Sequence, residues 1–173
     1  MKNKEDIYKI TCLVLILDQF IKFMINKFMD INSLIKVIPN FFNIYYVRNN
    51  GAAFSILENN TILIVIISVV FIIILDYYIR HEKSFNKLSI LSLGMIMGGI
   101  FGNLIDRIIY HSVIDYLSFL NFPIFNIADI CICVGVGLLV ISEIIKMRKE
   151  KDDDRSIQEV LPRRKRNIKS KDK

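Results

Sequence analysis

Four apolar runs, residues 7–28, 61–79, 88–110 and 126–145, constrain this chain more than any other feature. Each is close to the roughly 20 residues that a helix needs to cross about 30 Å of hydrocarbon. With 53% hydrophobic residues in a chain of 173, the pattern argues for one integral membrane domain rather than a soluble one with a large core. The expected fold is an all-α bundle of four transmembrane helices over residues 1–150. A basic, disordered cytoplasmic tail is expected over 151–173.

The first run follows Lys2, Lys4 and Lys9 but is too long for a cleavable leader. It has no small-residue cleavage site and is interrupted by Asp18 and Lys22, so it reads as a retained helix. Orientation follows from the basic residues. Arg80, Lys83 and Lys87 lie between the second and third runs, and Lys146, Arg148, Lys149 and Lys151 follow the fourth. The connection 110–125 has neither Lys nor Arg. Cytoplasmic loops carry the excess of Lys and Arg, so both termini are expected inside and the connection 110–125 outside. The segment from Lys146 onward holds 12 basic and 6 acidic residues and accounts for the whole net charge of +6. It suits a solvated tail near anionic lipid better than a nucleic-acid surface.

Ionisable residues within such runs are the candidates for function, because each costs about 2.5 to 3.5 kcal/mol to insert at a helix centre. Asp115 and Asp129 sit where the chain leaves and re-enters lipid at the outer face. Thr11, Asp18 and Lys22 form one stripe on the first helix at 100° per residue. The i,i+4 pair Asp18 and Lys22 reads either as a structural ion pair or as a brace for an outer site. Gly94, Gly98 and Gly102 repeat every four residues, a ridge that admits a neighbouring helix. Beyond them, Gly99, Asn103, Asp106 and Arg107 share a face, with Asp106 and Arg107 a possible ion pair. Asn126 suits a helix N-cap, and Asn126, Asp129, Cys133 and Gly137 form a face expected to look into the bundle.

Two further patterns bound the reading. Residues 41–48 are rich in aromatic and β-branched types and read as a strand; Asn49-Asn50-Gly51 supplies turn chemistry, with 52–57 as a return strand. The hairpin's aromatic residues suit the membrane surface. Cys12, Cys131 and Cys133 are odd in number, lack a CxxC pair and read as small buried apolar residues. His81 and His111 would lie on opposite sides of the membrane. No metal site and no cofactor are expected.

Five stretches, in order, carry a resemblance: Asp18-Gln19-Phe20-Ile21-Lys22, Asn49-Asn50-Gly51-Ala52-Ala53-Phe54, Gly102-Asn103-Leu104-Ile105-Asp106-Arg107, Val113-Ile114-Asp115-Tyr116 and Phe125-Asn126-Ile127-Ala128-Asp129. Together they resemble the motifs of the lipoprotein signal peptidases, or signal peptidase II. The resemblance implies a metal-independent aspartyl protease that cleaves diacylglyceryl-modified prolipoproteins on the amino side of the lipidated cysteine. It implies Asp115 and Asp129 as the catalytic pair. Asp18, Lys22, Asn49, Gly51, Asn103, Asp106, Arg107 and Asn126 are implied as lining or supporting residues, and a small β-sheet cradle is implied between the first two helices. Ile21 departs from the family's usual Ser or Thr, the segment between the two aspartates is short, and the basic tail is long.

Two carboxylates in one small site share a proton, which is the state an aspartyl protease requires. Asp129 lies near a helix N-terminus, which favours its carboxylate form. The expected assignment is Asp129 as base and Asp115 as proton holder, with the reverse left open. A transporter would need polar groups through the full bilayer depth, and here they gather in the outer half. A noncatalytic scaffold would explain the ion pairs but leave Asp115 and Asp129 without purpose.

Overall fold

The computed structural model describes residues 2–51, 60–120 and 122–160. The elements follow as α1 (Lys2–Phe28), β1 (Leu34–Ile38), β2 (Phe42–Asn49), α2 (Thr61–His81), α3 (Lys87–Tyr110), β3 (Val113–Phe119) and α4 (Ile127–Val160). The protein is mostly helical with one three-stranded sheet. By length and composition α2, α3 and Ile127–Asp153 of α4 could each cross a membrane. α1 is as long, and its apolar run is broken by Asp18 and Lys22.

α3 is the hub, packed against α4, α1 and, less extensively, α2. Of its apolar span 61% is buried inside the protein, against 11% for α2, so α2 lies at the edge. The glycine ridge explains how α3 accepts close neighbours. A Cβ on Gly94 would sit 2.6 Å from the Ile10 Cβ, and one on Gly98 would sit 2.8 Å from the Thr11 carbonyl oxygen. Both clash with α1, the helix that the ridge admits. Gly99 turns to the other side, where a Cβ would meet the Ala128 carbonyl oxygen at the start of α4.

α3 starts at Asn86, whose Oδ1 accepts the Ser89 N–H at 2.8 Å, an N-cap bond. It ends at His111, in the left-handed conformation with φ 57°, and the chain turns there into β3. The sheet is antiparallel in the order β1-β2-β3. The strand expected over 41–48 is therefore present as β2, but its partners are β1 before it and β3 after α3. The return strand expected over 52–57 lies outside the described residues.

Two expectations about helix faces change. Cys131 is buried, whereas Cys12 and Cys133 are exposed, Cys133 at the edge of a cavity; exposed positions in an apolar helix can carry a thiol as readily as a core can. Of the face Asn126, Asp129, Cys133 and Gly137, Asn126 is buried and Asp129 and Cys133 border one cavity, whereas nothing lies within 4 Å of a Cβ built on Gly137. α4 also continues past Glu150 to Val160, so the start of the expected tail is helical; residues 161–173 lie outside the described residues.

Candidate catalytic site

Strand alternation aims the residues of β2 and β3. Asn49 pairs with Val113 and Val47 with Asp115, and Asn49, Val113 and Asp115 all border one cavity. The intervening Ile114 and Tyr116 pack with Tyr46 in a separate buried cluster. A bulge between Ile44 and Val47 separates the two registers of β2.

Asp129 is aimed by the start of α4. The Asn126 Oδ1 accepts the Asp129 N–H at 2.9 Å, and the Asp129 Oδ2 accepts the Asn126 N–H at 3.2 Å. This reciprocal cap has the geometry of a capping box, with Asp in place of the usual Glu or Gln. The Asn126 Nδ2 then reaches Asp115 Oδ1 at 2.6 Å, so a single residue donates to both carboxylates. The Asn49 Nδ2 completes Asp115, donating to its Oδ2 at 2.8 Å.

Asn103 supplies the remaining donor to Asp129, from Nδ2 to Oδ1 at 2.7 Å. Its amide orientation is dictated from behind: the Lys22 ammonium, which can only donate, bonds the Asn103 Oδ1 at 2.9 Å. Lys22 also lies 2.9 Å from Asp18 Oδ2 and 3.0 Å from Asp106 Oδ2, and all three side chains are within 1% of full burial. Asp106 thus pairs with Lys22, a residue far away in sequence, and not with its neighbour Arg107. Arg107 instead donates to the Gly51 carbonyl at 3.2 Å.

The two carboxylates of this buried cluster reach towards the site. Asp18 Oδ1 accepts the Ala128 N–H at 3.1 Å, and Asp106 Oδ2 accepts the Ile114 N–H at 3.1 Å. Ala128 immediately precedes Asp129, and Ile114 immediately precedes Asp115. Each catalytic candidate is therefore positioned through the backbone of the residue before it. Gln19, passed over by residue-by-residue reading of the sequence, bridges the same elements through Gly102 O and Asp106 Oδ1, both at 3.1 Å. Its signal was an amide inside an apolar run.

The electrostatics separate the pair. Asp115 is only 2% exposed; burial first, and then the Asp129 carboxylate nearby, push its pKa up to about 7, against the pull of its bonds from Asn49 and Asn126. Asp129 is only partly buried. The cavity they share holds about 510 Å³, lined by Asn49, Asn103, Asp115 and Asp129 and by apolar side chains that include Phe122 and Ile132. Every candidate site residue is brought together here, those facing the cavity and those behind it.

A bundle with membrane-length helices around a buried carboxylate site is the architecture of a membrane enzyme, and the comparisons agree. Two solved structures, each described as a bacterial membrane enzyme structure by the in meso method, match with TM-scores of 0.75 and 0.70 at 34% and 36% identity. They cover 80% and 76% of this chain and 87% and 88% of those chains. The chain belongs to the signal peptidase II family, whose model, described as signal peptidase (SPase) II, matches residues 10–145. A lipoprotein signal peptidase from Symbiobacterium thermophilum is 40% identical over 138 residues, 78% of this chain and 91% of that protein.

Proposed function

We propose that this member of the signal peptidase II family is an aspartic endopeptidase that removes the signal peptide from diacylglyceryl-modified prolipoproteins, cutting on the amino side of the lipidated cysteine. The observation that carries this reading is the joint hold of Asn126 on Asp115 and Asp129, at 2.6 and 3.2 Å. It keeps two carboxylates together through neutral donors, so one proton can be held between them.

In the proposed mechanism Asp129 takes a proton from water as its oxygen bonds the scissile carbonyl carbon, and Asp115 gives its proton to the carbonyl oxygen. The resulting gem-diol collapses: one hydroxyl proton returns to Asp115, the C–N bond breaks, and Asp129 passes its proton to the departing amine. Both carboxyl groups end as they began. Asn49, Asn103 and Asn126 orient the pair, Arg107 with Gly51 shapes the cavity wall, and Asp18, Lys22 and Asp106 hold the backbone behind it. No cofactor or metal takes part in these steps.

α1 is proposed as the fourth membrane span. Its Asp18 and Lys22 are 0% and 1% exposed, while Leu13, Ile16 and Phe20 are left on its outer surface, so lipid would meet only its apolar side. The basic residues at 80–87 and 146–151 favour both termini in the cytoplasm of a cell membrane, with the site near the outer face. Residues 1–150 then form the peptidase domain and 151–173 a tail outside the chemistry. A substrate with two acyl chains would approach sideways through surrounding membrane lipid, because extraction costs about 0.8 kcal/mol per CH₂. Nucleic acid has no part in this reading.

Incubating the purified protein with a diacylated prolipoprotein and with its unlipidated form tests the function. Cleavage of the lipidated form alone is expected; equal cleavage of both, or of neither, would sink the proposal. For orientation, a cysteine placed at Ser118 should be labelled in intact cells and one at Ser156 only after permeabilisation. The opposite pattern would invert the topology.

A further inference from the structure

Arg48 belongs to none of the interactions that hold the two aspartates directly, yet it occupies a joint beside them. It lies on β2 next to Asn49, and its side chain takes the face opposite the cavity, with Tyr46 and Ile114. Its Nη2 donates to Asn26 Oδ1 at 2.8 Å, the same oxygen that accepts the Tyr46 hydroxyl at 2.7 Å. Its guanidinium carbon lies 4.3 Å from the centre of the Tyr110 ring and 5.5 Å from that of Tyr46. One side chain thus ties the end of β2 to the outer ends of both α1 and α3.

Packing alone does not account for an arginine here. Its Nη1 is buried without a hydrogen bond among the described residues, a cost that an apolar side chain of similar length would avoid. The planar guanidinium does what such a side chain could not, stacking on Tyr110 while donating to Asn26. Directly beyond it, Asn49 donates to Asp115 at 2.8 Å and accepts the Gly51 N–H at 3.0 Å. The strand end is also held by its ladder to β3, where Arg48 pairs with Ile114 and Asn49 with Val113, and by Arg107 on the cavity side at Gly51; neither reaches α1.

We propose that Arg48 is a positioning residue for the proteolytic reaction: by clamping the end of β2 to Asn26 and Tyr110, it holds Asn49 at bonding distance from Asp115. The inference rests on the reading of Asp115 as the proton-holding member of the pair. Its consequence is specific. The Asn49 N–H stabilises the Asp115 carboxylate, so slackening it makes Asp115 keep its proton to higher pH, moving the alkaline limb of activity upward.

The test measures cleavage of a diacylated prolipoprotein in detergent by wild type, Arg48→Met, Arg48→Lys, Asn49→Ala and the double variant R48M/N49A. Arg48→Met is expected to lower kcat about tenfold with KM changed less than about twofold, the loss of one bond to a charged group. Its alkaline limb should rise as that of Asn49→Ala does, the double variant should be no worse than Asn49→Ala alone, and Arg48→Lys should recover part of kcat. Losses that add in the double variant, or a lower melting temperature with kcat and the pH limb unmoved, would overturn the proposal. Should Arg48→Met fail to fold, Tyr110→Leu removes the stacking partner and is read the same way. A wild type that cleaves nothing would count against the protease reading itself, whereas a cleaving wild type with an indifferent Arg48 counts only against the clamp.

Discussion

Two pairs of aspartates lie within one site and are held in opposite ways. Asp18 and Asp106 share the Lys22 ammonium at 2.9 and 3.0 Å, and they also accept backbone N–H groups and the Gln19 amide. Among the described residues, Asp115 and Asp129 receive only amide and backbone donors, from Asn49, Asn103 and Asn126. A carboxylate bonded to a buried ammonium has that cation as its fixed partner. One held by neutral amides beside another carboxylate is free to trade a proton. In the proposed mechanism the first pair builds, and the second is left able to react.

Exchanging charge for shape should expose that difference most strongly in the second pair. Asp115→Asn and Asp129→Asn are each expected to lower kcat by about 10³-fold or more while the protein remains folded, since each removes one acid–base partner. Near-normal turnover by either purified variant would erase the distinction between the pairs.

Lys22→Met attacks the first pair, leaving two buried carboxylates without their cation. A loss of about 3–5 kcal/mol is expected, read as a lower melting temperature in detergent. Replacing all three charges, as D18N/K22M/D106N, should recover most of that loss, because neutral oxygens still accept the N–H groups of Ala128 and Ile114. A triple variant as unstable as the single one would show that the cluster does more than hold charge and shape.

The pH dependence sharpens the comparison further. With Asp115 protonated in the working state and its pKa near 7, kcat should fall as pH rises through about 7. Stability should follow the same direction. A carboxyl group whose folded pKa is raised contributes most below its unfolded value, about 3.9, and loses that contribution as pH rises through the folded one, a change on the order of 4 kcal/mol. The melting temperature of wild type should therefore drop between pH 5 and 8, and that of Asp115→Asn should drop less. Parallel slopes for both proteins would remove Asp115 as the cause.

The smallest effect is expected at the far end of α4. Truncation after Glu150 should leave the specific activity of the purified enzyme within about twofold, because charges screened over about 8 Å do not act across roughly 30 Å of bilayer. EDTA should likewise leave activity unchanged. A tenfold fall in either case, with melting unaltered, would tie the site to something beyond its own side chains.

Much of this site is legible along the chain because its parts are local. The N-cap at Asn126 and the Asp18/Lys22 spacing each depend on residues within four positions of one another, and β2 is apparent from composition alone. Arg107 shows where local reading stops: adjacency suggests Asp106 as its partner, yet in the folded chain Lys22 takes Asp106 and Arg107 turns to Gly51. The pairing of β2 with β3 was equally hidden, since α2 and α3 lie between the two strands in sequence. Gln19 and Arg48 remained unassigned because neither has a chemical role except through the residues they hold.

Hydrophobic run length, basic-residue placement and five short motifs were enough to determine a family of membrane protein and its two candidate aspartates, since each signal is carried by neighbours in sequence. Only the tertiary structure decided that Asp106 shares the Lys22 ammonium with Asp18 while no salt bridge reaches Asp115 or Asp129 among the described residues. That outcome depends on where one ammonium from α1 comes to rest against α3, between Asn103 and Asp106. The Lys22–Asp106 pairing is set by a distance of 3.0 Å between two helices, and no periodicity along a single helix encodes it.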